Sequence, residues 1–153
     1  MVCPVSAMIV EPLGLGADDD QRVRLVYRIC HPEAPARPRQ WYQAYPTLVV
    51  RQEHEILGFT SCSISPALNG TLTLYGNDLC VLPVWQKRGL GWQLAQARHA
   101  LGRAVGATQF VGIARPSNAA MRRIFERQGL HACQSLPGYF GDEDGLAWIG
   151  LLT

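Results

Sequence analysis

Between Val81 and Gly91 the chain reads Val-Leu-Pro-Val-Trp-Gln-Lys-Arg-Gly-Leu-Gly. An apolar run through Leu79–Val81 stops at Pro83, and two glycines follow. From Leu90 the apolar residues recur at helical spacing. A strand end, a glycine loop and a helix start in that order make an anion site. Glycine lets the main chain approach a ligand with no Cβ in the way. The first amides of a helix have no partner within it and stand at the positive end of its dipole. Lys87 and Arg88 add positive charge, so the stretch Gln86, Lys87, Arg88, Gly89, Leu90, Gly91 reads as a pyrophosphate cradle. It is not a Walker loop, because G-x-x-x-x-G-K-[ST] is absent, and the dinucleotide pattern G-x-G-x-x-G fails at Leu94. Taken alone, these residues also fit a plain strand-to-helix turn with solvated basic side chains.

The flanking sequence predicts the elements that would hold such a loop. Val5 to Glu11 is a short apolar run ended by Pro12, read as a first strand. Asp18-Asp19-Asp20 leads into Val23, Leu25, Val26 and Ile29, which is helical spacing behind acidic residues that suit a helix N-terminus. His31 to Arg39 holds three prolines and reads as a surface loop before a short helix from Arg39 to Tyr45. Thr47–Gln52, Ile56–Ser65 and Thr71–Pro83 give three strands joined by hairpin-sized links, hence an antiparallel meander. In Ile56–Ser65 the residues Ile56, Thr60, Cys62 and Ile64 suggest alternation. Leu90, Leu94, Ala97, Leu101 and Ala104 form one apolar face of a helix that Gly106 ends. Gln109–Ala114 is a strand, Ser117 or Asn118 caps a helix through Phe125 to Gly129, and Leu130–Leu136 and Leu146–Leu152 are the last strands. The unit from Leu79 to Ala114 should be a right-handed crossover, with its helix start at a strand's carboxyl end, where α/β sheets bind ligands.

Composition narrows the classes. With 153 residues, 48% of them hydrophobic and 17% charged, the chain suits one folded domain over 1–153 and not a disordered segment. A net charge of +2 is too small to argue for nucleic acid, and no apolar run approaches a membrane span. The N-terminus lacks the basic start and apolar stretch of a signal peptide. The five cysteines form no C-x-x-C and no metal spacing, so free thiols in a reducing cytoplasm are expected and no metal is.

Two blocks carry a resemblance to a known family. Gln86-Lys87-Arg88-Gly89-Leu90-Gly91 resembles the Q/R-x-x-G-x-G/A signature of the GNAT (N-acetyltransferase) acyltransferases, with Leu79-Cys80-Val81-Leu82-Pro83 like the strand that leads into it. Asn118 to Leu130 resembles the family's N-x-x-A-x-x-x-Y-x-x-x-G-F helix and turn. The resemblance covers most of the chain from about Thr47 onward; the first 46 residues match in element order only. It implies an α/β (α+β) fold, a mixed, mostly antiparallel twisted sheet of about six to seven strands flanked by about four helices. It also implies acetyl-CoA or another acyl-CoA as co-substrate, direct transfer of the acyl group to a primary amine of a small molecule or peptide, pyrophosphate held by Gln86–Gly91, and a pantetheine arm paired with Leu79, Cys80 and Val81 in the splay before the Gln109–Ala114 strand. Asn118 would lie near the arm, or simply cap its helix.

The family often places a tyrosine acid where this chain has Phe125, a departure that puts turnover in question. Tyr139, in the loop between the last strands, is the substitute candidate for the acid, or else a half-buried loop aromatic. Asp78, on the strand before the cradle, is the candidate base; a carboxylate buried there would titrate toward neutrality, and the alternative is a solvent-facing polar turn. Cys80 has no evident histidine partner in sequence, so a thiol nucleophile is disfavoured. Asp142-Glu143-Asp144 would either attract an amine or close a polar turn. Trp41, Tyr42 and Tyr45 fit an acceptor pocket, an interface or core. Two other functions stay open: a GNAT-fold subunit of a homo-oligomer or larger assembly with little or no turnover, and a nucleotide-phosphate binder lacking acidic metal ligands.

Overall fold

The structure, a computed structural model, describes residues 8–38 and 41–152. The elements run β1 (Val10–Pro12), α1 (Ala17–Cys30), α2 (Trp41–Ala44), β2 (Thr47–Gln52), β3 (Glu55–Pro66), β4 (Leu72–Val81), a 3-10 turn (Pro83–Trp85), α3 (Leu90–Ala104), β5 (Ala107–Ala114), α4 (Ala119–Arg127), β6 (His131–Leu136) and β7 (Gly145–Leu151). That is the expected element order. The strands form a seven-stranded sheet in the order β1-β2-β3-β4-β5-β7-β6. It is mostly antiparallel; β4 and β5 run parallel, in register from Leu72↔Ala107 to Gly76↔Gly112.

Some boundaries moved for identifiable reasons. Helix α1 starts at Ala17, so Asp18, Asp19 and Asp20 occupy its first turn, where the dipole favours them. Val5–Ala7 of the expected first strand lie outside the described residues, as do Arg39 and Gln40 of the expected second helix. β3 shows no alternation: Ile56 to Cys62 are all buried. The cause is that neighbouring residues meet different layers. Ile56 and Phe59 join Val23, Val26, Tyr42, Val49 and Cys80 in one cluster, and Leu57 joins Val50, Val81, Leu90 and Leu94 in another. A strand covered on both faces reads as a continuous apolar run.

The chain divides into two compact units, Met1–Cys62 with Asn77–Arg98, and Ser63–Gly76 with His99–Thr153. The first contains the two clusters above. The second is built around a row of rings: His99 and Phe110 at 4.7 Å, Phe110 and Phe125 at 6.0 Å, Phe125 and Trp148 at 5.7 Å between centroids. Gly112 of β5 floors this row; a Cβ there would stand 2.7 Å from Phe125 Cζ and 3.0 Å from Phe110 Cε1. We expect Gly112→Ala to destabilise by about 1–3 kcal/mol through overpacking, read as a lower urea midpoint with an unchanged slope.

The two outermost strands are short or interrupted. β1 has three residues and ends on Pro12. β6 has a register shift between Ala132 and Gln134 that leaves Cys133 as the extra, exposed residue of a bulge.

Candidate cofactor site

β4 ends at Val81 and the chain turns through Pro83–Trp85, where Trp85 N–H donates to the Leu82 carbonyl at 2.8 Å. Two residues then take left-handed backbone, Lys87 at φ 62° and Gly89 at φ 87°. Successive amides in such a mixed conformation face one concave side. The first intrahelical bond of α3 runs from Gln93 N–H to the Gly89 carbonyl at 3.1 Å, so the amides just before it belong to the open helix end. Gln86, Lys87, Arg88 and Gly89 are exposed, while Leu90 is buried in the core and fixes the helix below them. A Cβ built on Gly89 would meet nothing within 4 Å; it would project into open space at the loop.

Side chains stiffen the loop from behind. Gln86 Nε2 donates to the Val81 carbonyl at 2.9 Å, and the Arg88 guanidinium lies 4.9 Å from the centre of the Trp85 ring. Gln86→Ala should cost about 1 kcal/mol for the lost hydrogen bond, visible as a small fall in the thermal midpoint.

The strand leading into the loop carries Asp78, which is 9% exposed. Its Oδ1 accepts from Arg37 Nη2 at 2.8 Å and its Oδ2 from Ser61 Oγ at 2.8 Å. Its carbonyl accepts from Thr60 Oγ1 at 2.7 Å, and that hydroxyl accepts from Arg98 Nη1 at 3.1 Å. Arg98 is 2% exposed; burial pushes its pKa down to about 10, against the pull of Cys62 and Asp78. The Arg37 guanidinium packs over Tyr27 at 5.1 Å and Trp41 at 4.6 Å. Tyr42 is core, its hydroxyl pushed well above the phenol range by burial and then by Asp78. The Trp41 and Tyr45 rings meet at 4.4 Å between centroids, tilted by 44°. Beyond Asp78, Leu79 and Val81 face the Leu57–Leu94 cluster and Cys80 faces the Phe59 cluster.

In the second unit Asn118 caps α4, its Oδ1 accepting from Met121 N–H at 3.0 Å. Tyr139 is 55% exposed and stands edge-on to Phe140 at 4.9 Å. The acidic turn is bonded within its own unit. Asp142 Oδ1 accepts from Arg115 Nη1 at 2.7 Å, Glu143 accepts from Ser117 N–H and Oγ at 2.9 and 2.8 Å, and Asp144 accepts from Gly138 N–H at 2.7 Å. Hydrogen bonds from Arg115 and from Ser117 hold the Asp142 and Glu143 carboxyls below their ordinary range.

Among the described residues no group of three or more His, Cys, Asp or Glu is placed to hold a metal ion, and no helix is long and apolar enough to cross a membrane.

The profile of the acetyltransferase (GNAT) family matches residues 20–130. The chain belongs to the GNAT acetyltransferase family. Solved structures agree on the fold. A putative GNAT-family acetyltransferase from Desulfovibrio desulfuricans is 20% identical, with a TM-score of 0.76 over 96% of this chain and 100% of that one. One chain of the NatC complex bound to Gag peptide and CoA superposes with a TM-score of 0.80 at 16% identity, over 95% of this chain and 99% of that one. YncA from Salmonella typhimurium, a putative acetyltransferase with acetyl-CoA, gives 0.73 at 21%, over 95% and 94%. No curated protein matches by sequence.

In this GNAT chain the sequence-expected residues fall in both units. Asp78, Leu79, Cys80, Val81 and Gln86 to Gly91 belong to the first; Asn118 and Tyr139 belong to the second. Phe125, where the family often has tyrosine, is 2% exposed between Phe110 and Trp148. Two contacts near the loop were not legible in sequence. Arg37, from the proline-rich stretch, reaches Asp78. Cys80, expected to lack a histidine, has His31 Nε2 at 3.4 Å.

Proposed function

We propose that the protein is an acyl-CoA-dependent N-acyltransferase, using acetyl-CoA and acting on a primary amine of a small molecule or peptide in a cytoplasmic setting. One observation carries the proposal: the exposed loop Gln86–Gly91, with Lys87 and Gly89 left-handed, opens α3 directly after β4 and its turn. Free space above Gly89, helix-end amides and the charges of Lys87 and Arg88 suit a pyrophosphate. When bound, the co-substrate supplies an acyl thioester. In this reading Leu79, Cys80 and Val81 line its arm, and Asn118, already an α4 cap, stands beside it. Asp78 is the candidate to take the amine's proton; each of its oxygens already accepts one hydrogen bond and keeps a second lone pair for it. Tyr139 is the candidate hydroxyl for the leaving thiol. The peptide option draws on neighbours in fold: NatC was solved with a Gag peptide, and Arabidopsis thaliana Naa50 with the bisubstrate analogue CoA-Ac-MVNAL.

One observation favours a second function, that of a binding or structural subunit with little turnover. Phe125 packs as core and carries no proton to give. The two are separated in sequence. Calorimetric titration with acetyl-CoA should show one site per chain, and donor at about 100 times its Kd should add about 2.7 kcal/mol of stability. No heat and no stabilisation would dismiss the donor site. Binding followed by release of free CoA thiol with one of a panel of amines and N-terminal peptides gives the enzyme; binding with no thiol release from any of them gives the subunit.

A further inference from the structure

The C-terminal end of α1 meets β4 through two crossed contacts. Cys30 Sγ donates to the Val81 carbonyl at 3.5 Å, and Cys80 Sγ lies 3.4 Å from His31 Nε2. Residues 30 and 31 thus lie against residues 81 and 80, and the two thiols are near enough to interact. They differ in access: His31 is exposed, Cys30 half-buried and Cys80 only 2% exposed. Interaction with Cys30, and then burial, push the Cys80 thiol up. The more accessible thiol is the one an oxidant attacks first, and the hidden one is placed to resolve the product.

We propose that Cys30 and Cys80 are a peroxide-oxidised dithiol pair, with Cys30 the attacking thiol, Cys80 the resolving thiol and His31 the base for Cys80. In the first step the Cys30 sulfur attacks hydrogen peroxide. The O–O bond breaks, a sulfenic acid forms on Cys30, and its thiol proton leaves with the other oxygen as water. In the second step the Cys80 sulfur attacks the Cys30 sulfur and the S–O bond breaks. The Cys80 proton passes to His31 Nε2 and on to the departing hydroxide, giving a second water. Two thiols and one peroxide become one disulfide and two waters; sulfur is oxidised by two electrons and peroxide is reduced by two. The bond would tie α1 to β4 one residue before Val81, whose carbonyl anchors Gln86. Its formation needs neither donor nor acceptor and stands apart from the proposed function.

The test uses the full chain carrying Cys133→Ser, which removes the exposed cysteine of the β6 bulge. The reduced protein is treated with equimolar hydrogen peroxide, blocked with N-ethylmaleimide, digested with trypsin and read by mass. The expected product is a peptide pair joined through Cys30 and Cys80 and lighter than its reduced parts by two hydrogens. Fragmentation assigns the bond, because Cys62 shares the tryptic peptide of Cys80. Adding Cys80→Ser should leave Cys30 as a sulfenic acid that dimedone traps. Adding His31→Ala should slow cross-linking by roughly 100-fold or more while Cys30 oxidation keeps its rate. Recovery of Cys30 and Cys80 as maleimide adducts after the peroxide is consumed would overturn the proposal, as would Cys30 sulfinic acid in place of the cross-link. Unslowed cross-linking in His31→Ala would remove the role of His31.

Discussion

Gly89→Val should raise the Kd for acetyl-CoA by about 100-fold, equivalent to about 2.8 kcal/mol, while the protein stays folded. Two effects add. Gly89 holds φ 87°, a conformation that costs a side-chain-bearing L-residue roughly 1–2 kcal/mol, so the free loop of the variant relaxes away from it and binding has to restore it. The rest comes from volume in the wrong place: the new side chain projects into the empty space beside the loop amides, where the pyrophosphate is proposed to stand. Because nothing lies within 4 Å of that Cβ position, the substitution forces no clash within the protein. Gly89→Ala is the graded control and should fall between parent and valine. Calorimetry gives the affinity, and circular dichroism with a thermal melt shows that the fold survives. A valine variant that binds as the parent does would place the pyrophosphate elsewhere.

Asp78→Ala should lower the unfolding free energy by about 3 kcal/mol, the low end of the cost of removing one partner from a buried ion pair, because the Arg37 side chain keeps 27% exposure. The carboxylate answers Arg37 directly and faces the buried Arg98, and Ser61 donates to it as well. Taking it away removes the counter-charge from Arg37, packed over Tyr27 and Trp41, and from the field at the buried Arg98. Asp78→Asn keeps the shape and part of the hydrogen bonding and should lose less. Urea denaturation with a linear extrapolation reads both. The asparagine variant also tests the proton-acceptor role: near-parental stability with acyl transfer abolished assigns Asp78 to catalysis. A large stability loss with residual activity per folded molecule assigns it to holding Arg37 and Arg98.

What was legible in the sequence followed local rules. α3 was bounded to within a residue because Gly89, Leu90 and the repeat through Ala104 obey helix periodicity; Ser117 or Asn118 marked the start of α4, and the structure selects Asn118, whose short side chain reaches Met121 N–H. Acid at the start of α1 and glycine after α3 acted the same way. The misses are long-range. β3 lost its alternation because α1 and α3 cover residues that are sequence neighbours on opposite faces. Arg37 and Asp78 are 41 residues apart, and His31 and Cys80 49 apart; no spacing rule links them. Lys87 at φ 62° was hidden for another reason. A lysine does not advertise left-handed backbone as glycine does, so the loop's second special position showed only in three dimensions. The acidic turn was legible as a turn, but its bonds to Arg115 and Ser117 depend on how β5, α4 and the turn come together.

The ends of the sheet bear on how the protein behaves in a crowded solution. A sheet edge with a straight row of free amides and carbonyls is a template on which other chains crystallise into fibrils. β1 offers three residues and a proline that has no amide to give. β6 offers a polar, exposed strand kinked at Cys133, so an incoming strand loses register halfway along. Both ends of the sheet are therefore poor seeds for growth, and straightening β6 by deleting Cys133 should turn a well-behaved solution into one that scatters light on standing.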